Sequence, residues 1–264
     1  MSDEMIETSR DGFLGGRVQL HQPIKGHRSG TDAVLLAASV PLHVPPYDRA
    51  QIGHACLELG CGVGVASLCL AARMAAEKLD YQITGVDIQA DLIALAQANA
   101  TANQIEAQFI VQDMRAPISH WPLASGSFAH IFANPPFYTA GTSAKPPDKA
   151  KQTAHIGEPE TLALWVRRAC ALVKPKGSVT FIHRAAAMAD LVACMRACLG
   201  GLQILPISAH AGEAAKRVLI RGTAGSQADT QILPPLILHR ADGGYMAEVE
   251  NILRHGGALD WGSA

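Results

Sequence analysis

From residue 52 onward, short apolar runs rich in β-branched and aromatic residues alternate with longer Ala- and Leu-rich stretches of helical periodicity. Residues 55–59 read as a buried strand, and 64–76 as a helix with Leu68, Ala71 and Ala72 on one face. Strand 82–86 and helix 91–101 follow, the helix opening on an aspartate. Strands at 107–111 and 127–133 precede a helix at 158–172 and a strand at 177–182. A helix at 185–199 and strands at 203–207 and 217–221 complete the series. Strand–helix alternation at this spacing predicts an open, mostly parallel sheet with helices on both faces. The last strands follow each other without a helix between them, which predicts an antiparallel hairpin at one sheet edge. Two regions break the alternation. Residues 11–30 read as a short hairpin and loop, and 31–40 as a helix ended by Pro41; residues 139–157 lack periodicity and read as a long polar loop. The expected division is an N-terminal extension, residues 1–50, packed on a core domain, residues 51–264.

The first strand runs into LELGCGVGV, residues 57–65. Glycine serves where backbone turns tightly or approaches a ligand closely. Gly60 and Gly62 fit the start of the dinucleotide fingerprint, but its sixth position is Val65 and the third glycine is Gly64. The loop therefore reads E-x-G-x-G-x-G from Glu58. Asp87 ends ITGVD and Asp113 ends FIVQD, each at the carboxyl tip of an expected strand, where ligands of open α/β sheets sit. A carboxylate at Asp87 can accept from both hydroxyls of a ribose.

The strand at 127–133 stops on Asn134-Pro135-Pro136-Phe137. Proline pushes its predecessor into an extended conformation and lacks an N–H, so two in series leave an open backbone poor in donors. The Asn134 side-chain oxygen and the Pro135 carbonyl remain as acceptors. An exocyclic amine on a heteroaromatic base has its lone pair conjugated into the ring. Two acceptors holding its hydrogens can turn that lone pair out of plane, and Phe137 offers a stacking face worth about 1–3 kcal/mol. The tetrapeptide suits adenine, cytosine and guanine amines and a glutamine amide alike; Phe at its fourth position leans toward nucleic acid.

The glycine loop resembles the S-adenosylmethionine loop of class I methyltransferases, and Asn134–Phe137 their amino-methyltransferase signature. KGHRSGTDAVLLAASV (25–40), ANPPFY (133–138), GEAAKRVLIRG (212–222) and LPPLILHRADGGYMAEVENILR (233–254) resemble the bacterial tRNA(Val) anticodon-loop adenine N6-methyltransferases. The resemblance implies a Rossmann-like seven-stranded sheet with a short N-terminal extension, S-adenosylmethionine as cofactor and tRNA as partner. It implies that Gly60, Gly62 and Gly64 lie against the methionyl part of the cofactor and that Asp113 holds the adenine amine. Met114 then lines the ring pocket, and Thr31 and Asp32 close over the reacting methyl. Thr31 also reads as a helix N-cap. Lys145, Lys149, Lys151, Lys216 and Arg217 are candidate contacts to RNA phosphates, against the alternative of a solvated charged loop.

Composition changes this picture little. The 264 residues are 48% hydrophobic and 17% charged, as in a globular protein. Net charge is −1, but residues 1–138 hold 8 Lys/Arg against 13 Asp/Glu, so a polyanion would favour the second half. None of the six cysteines forms a CxxC pair, which predicts reduced core thiols and no metal site; Cys194 and Cys198 share one expected helix. The N-terminus is no signal peptide and no apolar run reaches a membrane span, so a cytoplasmic location is expected and the Asn99 sequon is chance.

Overall fold

A computed structural model of the chain describes residues 7–26, 28–42, 54–136 and 158–262. Phe137, Lys145, Lys149 and Lys151 lie outside the described residues. The chain opens with the antiparallel hairpin β1 (Thr8–Phe13) and β2 (Val18–Pro23), then α1 (Thr31–Ser39). There follow β3 (His54–Leu59), α2 (Val65–Ala76), β4 (Tyr81–Asp87), α3 (Ala90–Ala102), β5 (Gln108–Val111) and β6 (Phe128–Ala133). Next come α4 (Glu158–Leu172), β7 (Val173–Arg184), α5 (Met188–Arg196), β8 (Leu199–Ser208) and β9 (Arg217–Ala224). Two-residue strands β10 (Gln231–Ile232) and β11 (Leu236–Ile237) lead to α6 (Ala247–His255).

The sheet order is β5-β4-β3-β6-β7-β9-β8, with β10 and β11 both on the far side of β8. β3 to β7 are mutually parallel where they pair, so their carboxyl ends share one edge. The connections after β3 run outward to β4 and β5, then return to β6 on the opposite side of β3. That reversal opens a crevice at the carboxyl edge, where such sheets bind ligands. Every residue of β6 is buried, as expected for a strand covered on both faces. One apolar cluster joins the sheet to α1, α2, α3 and α6, and a second joins it to α4 and α5.

Asn99 of α3 and Asn103, the C-cap of α3, pair by side chain with the backbone of β2 at His21 and Gln19. Asn99 is buried and also donates to the Val63 carbonyl, so the sequon serves packing. Arg73, 4% exposed within α2, donates to the carbonyls of Ala37 and Gly256 at the C-terminal ends of α1 and α6. Helix C-termini carry partial negative charge, which balances a buried guanidinium. Burial lowers its pKa to about 10, leaving it cationic at neutral pH.

Several expectations need correction. The seven expected strands are present, but β10 and β11 extend the sheet to nine; pairs of residues are too short to carry a periodicity. β9 lies between β7 and β8 and pairs antiparallel with both, so the hairpin expected at one edge has only the two-residue β10 and β11 outside it. Ala185–Ala187 is a 3₁₀ turn, and α5 ends at Arg196, so Cys198 lies beyond the helix. Cys198 forms a disulfide with Cys170 of α4, which overturns the reading of those two as reduced thiols. A spacing of 28 residues with no motif conceals such a pair; only the packing of α4 beside α5 and β8 brings the Cα atoms to 6.3 Å. Cys56, Cys61, Cys69 and Cys194 are free. Helix α6 was legible but absent from the alternation: Val249 and Ile252 share its buried face, Glu248 and Glu250 open it, and Gly256 ends it in the left-handed region.

Candidate active site

The glycine loop leaves β3 and enters α2 with Gly60, Gly62 and Gly64 all left-handed, at φ of 67°, 53° and 86°. Their surroundings differ. A Cβ on Gly60 would lie 2.3 Å from Cη2 of the buried Trp165, and one on Gly64 3.0 Å from the Phe109 ring. Nothing lies within 4 Å of a Cβ on Gly62. Gly60 and Gly64 therefore allow close packing, whereas Gly62 borders open space.

Two carboxylates hold this loop. Asp87, at the tip of β4, accepts from the Gly62 N–H at 2.9 Å through Oδ2 and from the Gln89 N–H at 3.0 Å through Oδ1. Each oxygen keeps a further lone pair for a ligand hydroxyl. Glu58 is only 4% exposed, and its Oε2 accepts from the Ser67 N–H at 2.8 Å and the Ser67 hydroxyl at 2.6 Å. It thus satisfies an unpaired N–H in the first turn of α2 from within the core. Burial pushes the Glu58 carboxyl up to about 8, against the lowering effect of the Ser67 hydrogen bonds.

Asp113 sits two residues beyond β5, in a turn closed by an Ala116 N–H to Asp113 carbonyl bond of 3.1 Å. Its carboxylate is gripped by Arg115, whose Nη2 reaches Oδ2 at 2.8 Å and whose own N–H reaches Oδ1 at 2.8 Å. The hydrogen bond from the Arg115 side chain is the main cause that holds the Asp113 pKa below the usual range. Met114 is buried beside it.

The opposite wall comes from β6. Leu59 and Ala133 are paired across the parallel strands, so Gly60 and Asn134 leave the sheet at the same level on neighbouring strands. Strand spacing places those exits about 5 Å apart. The Asn134 Oδ1 is buried and has no hydrogen-bond partner among the described residues. Pro135 is buried and Pro136 exposed. Native structures rarely leave a buried acceptor unpaired, and one where the glycine loop leaves the neighbouring strand fits a bound donor. The cofactor expected for this loop therefore has a compatible cradle in the left-handed backbone at Gly62 and the carboxylate at Asp87, and Asn134 leaves a waiting acceptor beside the loop for a second ligand.

Gly30, not Thr31, is the N-cap of α1, with no side-chain cap; Thr31 and Asp32 are its first residues, and Asp32 pairs with Arg217 at 2.8 Å. Arg217 begins β9 opposite Arg184, the last residue of β7, which puts this pair at the same carboxyl edge. Lys216 is exposed just before it. Trp165 and Arg168 of α4 also belong to the neighbourhood, Arg168 donating to the Met114 carbonyl at 2.8 Å. Neither was anticipated, because their partners are distant in sequence; only the apolar stripe of α4 marked Trp165 as buried. Among the described residues no group of His, Cys, Asp and Glu could hold a metal, and no helix is long and apolar enough to cross a membrane.

Residues 42–148 match the family model described as the methyltransferase small domain. A tRNA1(Val) (adenine(37)-N6)-methyltransferase of Aeromonas hydrophila is 29% identical over 220 residues, 82% of this chain and 84% of that protein. A release factor glutamine methyltransferase of Haemophilus influenzae is 36% identical over 101 residues, 36% of this chain and 30% of that protein. Among solved structures, an Agrobacterium tumefaciens protein titled a predicted O-methyltransferase superposes with a TM-score of 0.67 at 23% identity, over 86% of this chain and 98% of its own. A Thermus thermophilus 16S rRNA N2 G1207 methyltransferase gives a TM-score of 0.53 at 18% identity, over 83% of this chain and 50% of its own. The fold is that of the class I methyltransferases.

Proposed function

We propose that this chain, a class I methyltransferase that uses S-adenosylmethionine, methylates the exocyclic N6 amine of an adenine in a tRNA anticodon loop. The bound cofactor supplies an electrophilic methyl group. The glycine loop and Asp87 would hold its methionyl and ribose parts, and Asp113 and Met114 its adenine. Glu58 shapes the loop from inside, and Thr31 and Asp32 would close the near side.

The observation that carries the reading is the buried Asn134 Oδ1, without a hydrogen-bond partner among the described residues and one strand from Gly60. That oxygen and the Pro135 carbonyl would accept the two N–H groups of the amine. The prolines remove two competing N–H donors. Held this way, the amine presents its lone pair out of the ring plane without a strong base. Phe137, next in sequence, would stack on the base. An anticodon-loop adenine is single-stranded, so turning it outward costs little. Lys145, Lys149, Lys151 and Lys216 would meet the backbone phosphates, with Arg217 contributing less because Asp32 engages it.

The same acceptor pair could hold a guanine N2 amine or a glutamine amide, and similarity to the glutamine methyltransferase favours the latter as second reading. Transfer of labelled methyl to tRNA, ribosomal RNA and release factor in parallel separates the three. Label confined to protein sinks the RNA reading. Nucleoside analysis of tRNA from cells lacking the gene should show a missing N6-methyladenosine peak. Asn134→Ala should cut turnover by orders of magnitude with cofactor affinity near normal, whereas Asp87→Ala should weaken cofactor binding first; calorimetry showing the reverse would overturn these roles.

A further inference from the structure

The turn from Asp113 to Ala116 belongs to no strand. β5 ends at Val111, and the next regular turn starts at Ile118. Its carbonyls therefore lack sheet partners, and carbonyls in such a place must be paired from elsewhere. Helix α4 supplies the pairing. Arg168 donates from Nε to the Met114 carbonyl at 2.8 Å and from Nη2 to the Ala116 carbonyl at 2.9 Å, with the Arg115 carbonyl at 3.5 Å. Trp121 Nε1 adds a bond to the Ala116 carbonyl at 3.2 Å. The orientation of the turn is thus set mainly by a helix that follows it by about fifty residues, and only in part by the strand that leads into it.

α4 is a firm support. Leu162, Trp165, Val166, Ala169 and Leu172 are buried in one stripe against the sheet. Cys170, two residues past Arg168, is bonded to Cys198. Arg168 is half-buried, and its planar fork spreads over successive carbonyls in a way a lysine ammonium does not match. One turn earlier, Trp165 lies against Gly60. One rigid helix therefore touches the adenine-side turn through Arg168 and the glycine loop through Trp165. The Asp113 carboxylate is already engaged by Arg115, which makes the placement of this turn more important for recognising a base.

We infer that Arg168 is a positioning residue for adenine recognition in the cofactor pocket, acting through the carbonyls of Met114 and Ala116 without touching the cofactor. The inference rests on reading Asp113 and Met114 as the adenine contacts.

The test is calorimetric binding of S-adenosylhomocysteine and of S-inosylhomocysteine, in which a carbonyl replaces the adenine amine, together with Tm. The variants are Arg168→Met, Arg168→Lys and Met114→Ala. Arg168→Met should weaken S-adenosylhomocysteine by about tenfold and shrink its preference over S-inosylhomocysteine, with Tm nearly unchanged; Arg168→Lys should fall between. An Arg168→Met protein that keeps both affinity and preference overturns the inference. So does one that loses both ligands equally along with Tm, since that marks a structural role. If Met114→Ala weakens binding while Arg168→Met does not, the pocket reading stands and the inference fails. If wild type shows no preference, or Met114→Ala changes nothing, the pocket reading itself fails and the inference with it.

Discussion

Arg217 Nε donates to Asp32 Oδ2 at 2.8 Å and so ties the first residue of β9 to the first turn of α1, across 185 residues of chain. The side chains are 34% and 29% exposed, so the pair itself contributes at most about 1 kcal/mol. Its larger effect is positional: it fixes the Thr31–Asp32 corner at the crevice and engages a cation otherwise suited to phosphate. Lys216→Gln should therefore lower the salt slope of RNA binding by about one, and Arg217→Gln by clearly less. Asp32→Asn and Arg217→Gln should couple in a double-mutant cycle on cofactor affinity. A full unit of slope lost at Arg217 would place its guanidinium on the RNA instead.

Glu58 makes stability depend on pH in an unusual direction. Its pKa is near 8 when folded against an ordinary 4.5. The folded state therefore keeps a proton that the unfolded chain releases between those values. The contribution is complete below about pH 4.5 and is lost as pH rises through 8. Glu58→Gln keeps an acceptor for Ser67 but cannot ionise. Urea unfolding between pH 5 and 8 should show wild type losing on the order of 1–3 kcal/mol more than the variant. Equal slopes would mean that Glu58 is already ionised in the fold.

The loop glycines should separate by phenotype. Gly60→Ala adds a clash with Trp165 to left-handed strain, and should cost about 2–4 kcal/mol. Trp165→Leu should recover part of that loss. Gly62→Ala carries only the strain, about 1 kcal/mol, yet should weaken cofactor binding because its Cβ enters the open crevice. Denaturation and calorimetry on the same three proteins check this. Equal stability losses at both positions would show that the ring of Trp165 yields.

The Cys170–Cys198 bond spans a sequence separation of 28 residues, worth about 3.5 kcal/mol through the entropy of the unfolded chain. Reductant should lower the Tm of wild type and leave a Cys170→Ser/Cys198→Ser protein unmoved. Alkylation of the denatured, unreduced protein should label four of its six cysteines. Six labelled thiols would remove the bond from the native structure.

What was readable in advance is what local backbone chemistry dictates. Strands covered on both faces are mostly apolar, so β3, β4, β6 and β7 stood out in the sequence, and the glycine triplet and Asn134-Pro135-Pro136 specify their backbone over a few residues. That Gly60 and Asn134 emerge side by side followed from the strand order, which no single motif contains. The same holds for the insertion of β9, the enclosure of Glu58 beneath Ser67, and the disulfide.

The sequence by itself determined the alternating architecture, the left-handed glycine loop and the Asn134-Pro135-Pro136 corner, because steric and periodic constraints act between near neighbours. Tertiary structure alone decided that Trp165 and Arg168 brace the crevice and that Arg217 answers Asp32. Those contacts join groups 52 to 185 residues apart, and only the burial of whole helix faces brings them within reach.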